Sequence, residues 1–531
     1  MEINSNYFLI ENKRWIIGSI ALALILLSPI FILFFNFFTS DKNTLIYLFE
    51  TVLFDYSFNT LYLVLVTSFF TLILGVIPAW FISNYNFLGR NFFDTALYLP
   101  LAIPSYIMGF TYIDLLSYTG PIQSFLRLHS VFLANIFNRD YLQIEILGIL
   151  LSLALYPYVY TVSRISFSLA GSNYLNISKN LGLSTFQTFY KIILPLSRPA
   201  IFSGLFLVIM EVLNEYGAVK YFGINTYTTG IFRSWFSLGD VAGAIQLACI
   251  LLTLVLILFF LEKISKKNSK FFYNKNTQIQ KLIPLNKKSD TAIMITCSVP
   301  FLFGFLIPFT FILYNVILTF SQIDFAKLLM LTRNTVYISS FASIIIIVIA
   351  LFFLFVERIS KTKINSYINS LISLGYALPG AVIGLGLIIL FSSFSLVGSF
   401  FILIFAYTIR FLAVAKSPIK SSIEKHPETF DDTGKNLGLS PLRLLNKIHL
   451  PINKFALISA FIITFIDVMK ELPITLILRP FNFDTLATKT YEFAVEEMIP
   501  LSAIYSLVII IIGSLMLLFL KNFIDKQINV S

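Results

Sequence analysis

Five ionisable residues stand at matching places in two strongly apolar stretches. Glu211 and Glu215 lie in EVLNEYG, and Asp467, Lys470 and Glu471 lie in DVMKELP, 256 positions later. Charge inside a membrane-spanning helix is costly and marks a candidate functional site. The i, i+4 spacing predicts that Glu211 shares a helix face with Glu215, and Asp467 with Glu471. Turned toward a pseudo-twofold axis, the two faces would line an acidic path or gate. Two structural readings compete with that one. In the first, Lys470 neutralises a neighbouring carboxylate and the group fixes helix packing; in the second, the charges mark the outer end of a span.

The elements that must hold these residues are membrane spans. Of 531 residues, 57% are hydrophobic and 12% charged, against about 25% charged in soluble domains. The formal charge of +11 sits in lysines between apolar runs, as the positive-inside rule requires, so no nucleic-acid partner is implied. Cys249 and Cys297 lack disulfide or zinc spacing, and the three histidines, at 129, 426 and 449, are scattered; no metal site is assigned. The chain has no GxxxxGK[ST] loop to cradle phosphate. It is therefore not expected to be a P-loop ATPase or to bind a cofactor of its own.

A span needs about 20 apolar residues, and twelve candidates follow: 15–38, 59–83, 95–117, 144–165, 200–222, 240–261, 291–320, 334–357, 367–394, 396–416, 455–479 and 499–520. The first lacks a small-residue cleavage site and is expected to remain as an anchor. Residues 262–290 carry eight lysines and read as a cytoplasmic linker between halves 1–261 and 291–531. The segment from Arg410 to Lys425 and both termini fall on the same side. Six spans is an even number, so the halves share one orientation. The expected fold is all-α, about twelve transmembrane helices in two parallel six-helix repeats. Further matches support the repeat at an offset of 275 positions: Asn59-Thr60-Leu61-Tyr62 with Asn334-Thr335-Val336-Tyr337, and Ala102-Ile103-Pro104 with Ala377-Leu378-Pro379. Pro104 and Pro379 are expected to kink spans 3 and 9, which makes them gate candidates.

Just before the ionisable groups, a polar segment also occurs twice. NISKNLGLSTFQTFYKIILP (176–195) recurs as DTGKNLGLSPLRLLNKIHLP (432–451). Asn180 and Asn436 precede Gly182 and Gly438, which can take the left-handed conformation that ends a helix. Ser184 and Ser440 stand at N-cap positions, with Gln187 completing a capping box in the first copy and Pro441 at the first helical position in the second. Phe186, Phe189, Tyr190 and Ile193 form one apolar stripe at helical spacing. In the second copy Leu442, Leu444, Leu445 and Ile448 spread over a wider face. Pro195 and Pro451 should interrupt hydrogen bonding before the next span.

The spacing of Gly, nine residues and Ile-x-Leu-Pro, present in both copies, resembles the EAA loop of permeases from binding-protein-dependent ABC importers. The resemblance implies coupling loops at about 172–196 and 424–452 that dock into two copies of a separate ATP-hydrolysing subunit, which would hold the ATP and Mg. The family's usual Glu-Ala-Ala start is replaced by Asn176-Ile177-Ser178 and by Asp432-Thr433-Gly434, so an acidic contact is expected through Asp432 alone. The stretches 214–240 and 469–497 are similar to those of fused ferric-iron permeases. This implies Fe(III) delivered by a periplasmic binding protein to a permease of the bacterial inner membrane; oxygen ligands suit such a hard cation. External Arg233, Arg479, Glu496 and Glu497 could dock that protein. Thiamine or another small solute is the alternative cargo, and an ion-coupled secondary transporter the alternative class.

Overall fold

The computed structural model describes residues 2–267, 282–284, 287–394 and 396–530. Most of the lysine-rich linker, and the side chains of Asn176, Ile177 and Lys526, lie outside the described residues. Among the described residues, nine helices are long and apolar enough to cross a membrane, or up to twelve if each of three sharply bent pairs counts as one span. Among the described residues, the sole strand pairing is a two-residue parallel bridge, Tyr85–Asn86 with Ile283–Pro284.

The chain forms two compact units that cut across its repeats. One contains 46–230, 253–324 and 489–531; the other contains 1–45, 231–252 and 325–488. In the first-repeat unit, helix Leu53–Asn84 packs along Ile144–Asn180, which packs on Leu194–Asn214. The second-repeat unit builds the same trio from Phe325–Ser360, Phe400–Lys425 and Lys454–Met469. Each unit also takes in the opening span of the other repeat. Helix Glu2–Thr39 packs on Phe325–Ser360 and Gly380–Phe391 in the second-repeat unit, and Ile307–Leu318 packs on Ser105–Leu116 in the first-repeat unit. Gly386 permits the first of these approaches, because a Cβ there would lie 2.8 Å from the Pro29 carbonyl oxygen.

The prolines do more than kink their spans. Arg90–Ala102 and Ser105–His129 meet at 93°, and Lys363–Ala377 and Gly380–Phe394 at 108°. Pro104 and Pro379 sit at these corners in extended conformation, each just before a new helix. A proline cannot donate to the preceding turn, and the residue before it is pushed out of the helical region. The corner follows from both effects. The fifth span of each repeat is shorter than the apolar run suggests, because its helix stops at Asn214 or Met469.

Candidate functional site

The early stop overturns the expected i, i+4 carboxylate pairs. Glu215 follows the last helical residue with ψ 124, so it no longer shares a face with Glu211, which is half-buried. The Glu215 side chain turns instead to the short helix Gly217–Tyr221, where Ala218 N donates to Oε1 at 3.0 Å and Ser105 Oγ donates to Oε2. Glu471 repeats the device on helix Pro473–Leu478: Ile474 N donates to Oε1 at 3.1 Å and Thr475 N to Oε2 at 3.2 Å. A threonine hydroxyl closes each loop, Thr228 onto the Glu215 carbonyl and Thr475 onto the Glu471 carbonyl, both at 2.8 Å. Glu215 and Glu471 are 8% and 6% exposed. Their lone pairs are engaged by helix-end N–H groups, which is how a buried carboxylate is tolerated.

Both glutamates are tied to the proline corners. In the first repeat the tie is direct, since Ser105 follows Pro104. In the second it runs through Arg410, whose Nη1 donates to the Leu378 carbonyl at 2.9 Å, one residue before Pro379, while its charge acts on the Glu471 carboxylate. Arg410 is 2% exposed and Lys416 is 5% exposed, so these two charges of the basic stretch are packed inside their unit and not on its surface. Lys416 donates to the Asn369 carbonyl at 2.7 Å. An arginine inside FFILIFAYTIRFLAVA was the available signal. Asp467 pairs with Lys470 at 2.9 Å, the neutralising arrangement weighed as the structural reading. Arg479, expected to face outward for docking, pairs with Asp484.

These contacts predict that Glu471→Gln, whose amide oxygen still accepts one of the two helix N–H groups, loses less transport activity than Glu471→Ala, which loses the cap at a cost of about 1–2 kcal/mol. Equal and severe loss in both variants, measured as uptake into vesicles, would restore the acidic-path role.

The doubled polar segment folds as its caps require. Gly182 and Gly438 have φ +71 and +75. Ser184 and Gln187 form a reciprocal capping box, with N···O distances of 3.0 and 3.2 Å. Ser440 makes no side-chain cap hydrogen bond, and Pro441 opens that helix. The prolines at the end do not stop the helix. Each is absorbed by one π turn, Phe189–Ile193 and Leu445–His449, 256 positions apart, in which Leu194 N reaches back to Phe189 O and Leu450 N to Leu445 O. A proline ring clashes with the carbonyl four residues back, here Lys191 or Lys447, and widening the turn relieves the clash. Helix then continues through Pro195 into the span, whereas the second copy bends by 78° at Asn453, just after the exposed Pro451.

The wide turn also splits the expected stripe. Phe189 and Ile193 turn inward, while Phe186 and Tyr190 stand 76% and 63% exposed. In the second copy Leu444 is fully buried, Leu445 and Ile448 are half-buried, and Leu442 is 55% exposed. Asp432 is exposed and 3.8 Å from Lys435, and Asn180 and Asn436 are exposed too.

What holds each copy down differs. The first rests on aromatic rings: Phe189 lies 4.8 Å from Trp80 and 6.1 Å from Phe167. The second rests on buried charge. Arg358 donates through Nε to Asp431 Oδ2 at 2.6 Å and through its other nitrogens to the carbonyls of Ile423, His426 and Pro427. His449 Nε2 meets Asp431 Oδ1 at 2.7 Å, and its ring lies against Phe355 at 5.5 Å. Burial alone would raise the Asp431 carboxyl; the His449 and Arg358 hydrogen bonds outweigh it and hold the group below its ordinary value. Asp431 and His449 replace Leu175 and Ile193 of the first copy. Two polar exchanges in an otherwise matching repeat were the signal for this cluster.

Residues 71–269 and 354–529 match the family described as binding-protein-dependent transport system inner membrane component. The chain is 25% identical over 477 residues to the Fe(3+)-transport system permease protein FbpB 2 of Haemophilus influenzae, covering 88% of this chain and 90% of that one. It is 26% identical over 209 residues to the probable sulfate transport system permease protein cysT of Prototheca wickerhamii, covering 38% of this chain and 78% of the relative. With the sulfate transport system permease protein CysT of Salmonella typhimurium it shares 29% over 168 residues, 31% of this chain and 57% of the relative. Two matched regions, one per repeat, on a bundle with paired proline corners and paired polar segments, place this chain in the family of binding-protein-dependent transport system inner membrane components.

Proposed function

We propose that this chain is the complete transmembrane part of an importer for ferric iron. It would receive Fe(III) from a periplasmic binding protein and be driven by two copies of a separate ATP-hydrolysing subunit, one on each doubled segment. Both termini would be cytoplasmic, in a bacterial inner membrane. The observation that carries the cargo is the extent of likeness to the Fe(3+) permease, 90% of that chain across both repeats, whereas the sulfate permeases named above match at most 38% of this one. Exposed Phe186, Tyr190 and Leu442 support the docking role, since large apolar side chains on a polar segment mark an interaction surface. Asp432, exposed beside Lys435, would meet a cationic group on the second docking surface.

Liposomes carrying the full complex test this reading. Fe(III)-loaded binding protein should stimulate ATP hydrolysis and iron entry, and sulfate- or thiamine-loaded binding proteins should not. Stimulation by either of the latter with indifference to Fe(III) would overturn the assignment.

A further inference from the structure

The first-repeat unit holds a cluster of phenols that neither the caps nor the docking segments use. Tyr216, next to the capping Glu215, packs beside Tyr491, their ring centroids 5.9 Å apart. Phe110 backs the group, 4.7 Å from Tyr221 and 6.4 Å from Tyr491. Carboxylates surround it: the charge of Glu215 acts on Tyr491, and those of Asp114 and Glu497 act on Tyr221. Asp114 also accepts from Asn315 Nδ2 at 3.2 Å. Tyr216 is buried, Tyr221, Tyr491 and Asp114 are half-buried and Glu497 is exposed, so oxygen atoms run from the surface to the interior of one unit.

The second-repeat unit has the same backbone plan without the oxygens. Repeat spacing sets Leu472 in place of Tyr216, Ile477 in place of Tyr221, Leu385 in place of Phe110 and Ile389 in place of Asp114. The threonine pairs Thr226–Thr229 and Thr485–Thr488, which make the same backbone-to-hydroxyl bond at 2.9 Å, set Phe232 in place of Tyr491. There Phe232, Leu385 and Ile477 line an apolar pocket. The fold therefore stands without these hydroxyls. Burying a hydroxyl costs free energy that apolar packing avoids, so their presence in one unit calls for a ligand.

We propose that Tyr216 and Tyr491 form a transient oxygen-ligand station for Fe(III), with Asp114 and Glu497 on its approach, in the first-repeat unit alone. The proposal rests on the ferric-iron reading above. Phenolate is a hard anionic oxygen donor, matched to a hard cation. As each Fe–O bond forms, the phenol gives its proton to water, and when the ion leaves the proton returns; no electron moves and the iron stays Fe(III). The Glu215 lone pairs stay on the helix cap and Ser105, so no carboxylate inside the unit adds to the two phenols, which keeps the hold loose enough for release.

The test uses the full complex in liposomes, supplied with Fe(III)-loaded binding protein, comparing wild type with Tyr491→Phe and with Tyr216→Phe/Tyr491→Phe. Tyr491→Phe copies Phe232 of the other unit and keeps the ring. Iron entry should fall about tenfold or more in the double variant, with ATPase stimulation retained, while Tyr367→Phe at an exposed tyrosine changes neither. The purified chain in lipid nanodiscs, given Fe(III) as its nitrilotriacetate chelate, should show a visible phenolate-to-iron absorption band that the double variant lacks. Wild type that moves no Fe(III) defeats the cargo reading. Wild type that moves it, with either no such band or a double variant working at full rate, defeats the station.

Discussion

Asp431→Asn is expected to release the second polar segment from the end of helix Phe325–Ser360 and to abolish most of its coupling. The carboxylate is 8% exposed at its side chain and bonded to Arg358, 11% exposed, and to His449, 5% exposed. Removing one partner of a buried charge pair leaves the other uncompensated, at a cost of about 3–5 kcal/mol. Amide exchange across 428–450 should accelerate accordingly, and binding-protein-stimulated ATP hydrolysis should fall with it. The triple change Arg358→Ser, Asp431→Leu, His449→Ile writes in the first copy's residues, Ser83, Leu175 and Ile193. It should be milder than the single one, because Leu and Ile take the places of Asp431 and His449 and no cation is left buried without its counter-charge. Unchanged exchange in Asp431→Asn would show that Phe355, Ile359 and Leu444 hold the segment without help. The pH dependence has a definite sign. Asp431 is held below its ordinary value, so its contribution is complete above the ordinary carboxylate pKa of about 3.9 and is lost as pH falls through the lowered one.

Gly375→Ala should be nearly as damaging, through the proline corner of the second repeat. A methyl group built on Gly375 would occupy the place of the Ile409 carbonyl oxygen, a backbone atom that cannot rotate away. The segment Ser373–Ala377 would have to lift off helix Phe400–Lys425. Overpacking costs about 1–3 kcal/mol. Lifting would also draw the Leu378 carbonyl off Arg410, a charge-assisted hydrogen bond worth about 1.5–3 kcal/mol. The variant should lose its monodisperse elution after mild heating, whereas Gly18→Ala, whose Cβ would meet Phe352 at an ordinary 3.6 Å, should behave as wild type. Survival of Gly375→Ala at the wild-type temperature would mean that the corner can shift without cost.

The repeat, the membrane class, the left-handed glycines and the capping box were all legible in the sequence, because each depends on local pattern or on composition. Tertiary competition hid the rest. The i, i+4 reading of Glu211 and Glu215 assumed that the helix continues, but the unpaired N–H groups of Gly217–Tyr221 claim the glutamate and end it. The apolar stripe assumed 3.6 residues per turn, and Pro195 forces one wider turn in its middle. Arg410 reads as a surface charge by composition; the corner at Pro379 leaves the Leu378 carbonyl outside helical pairing, where it accepts from the buried guanidinium. The Asp431–His449 pair was visible as a double departure from the repeat, but its partner Arg358 lies 73 residues from Asp431.

The exchange of opening spans bears on the order in which the protein can be made. Residues 1–45 leave the ribosome first, yet the unit they complete is drawn mainly from 325–488. The first helix must therefore wait in the lipid, with its eventual packing face uncovered, while the whole first repeat is inserted. Physical continuity keeps the early helix at hand until its neighbours arrive. Expressed as separate polypeptides, residues 1–261 would lack the helices that cover their first span, and residues 291–531 would lack the bundle that receives Ile307–Leu318.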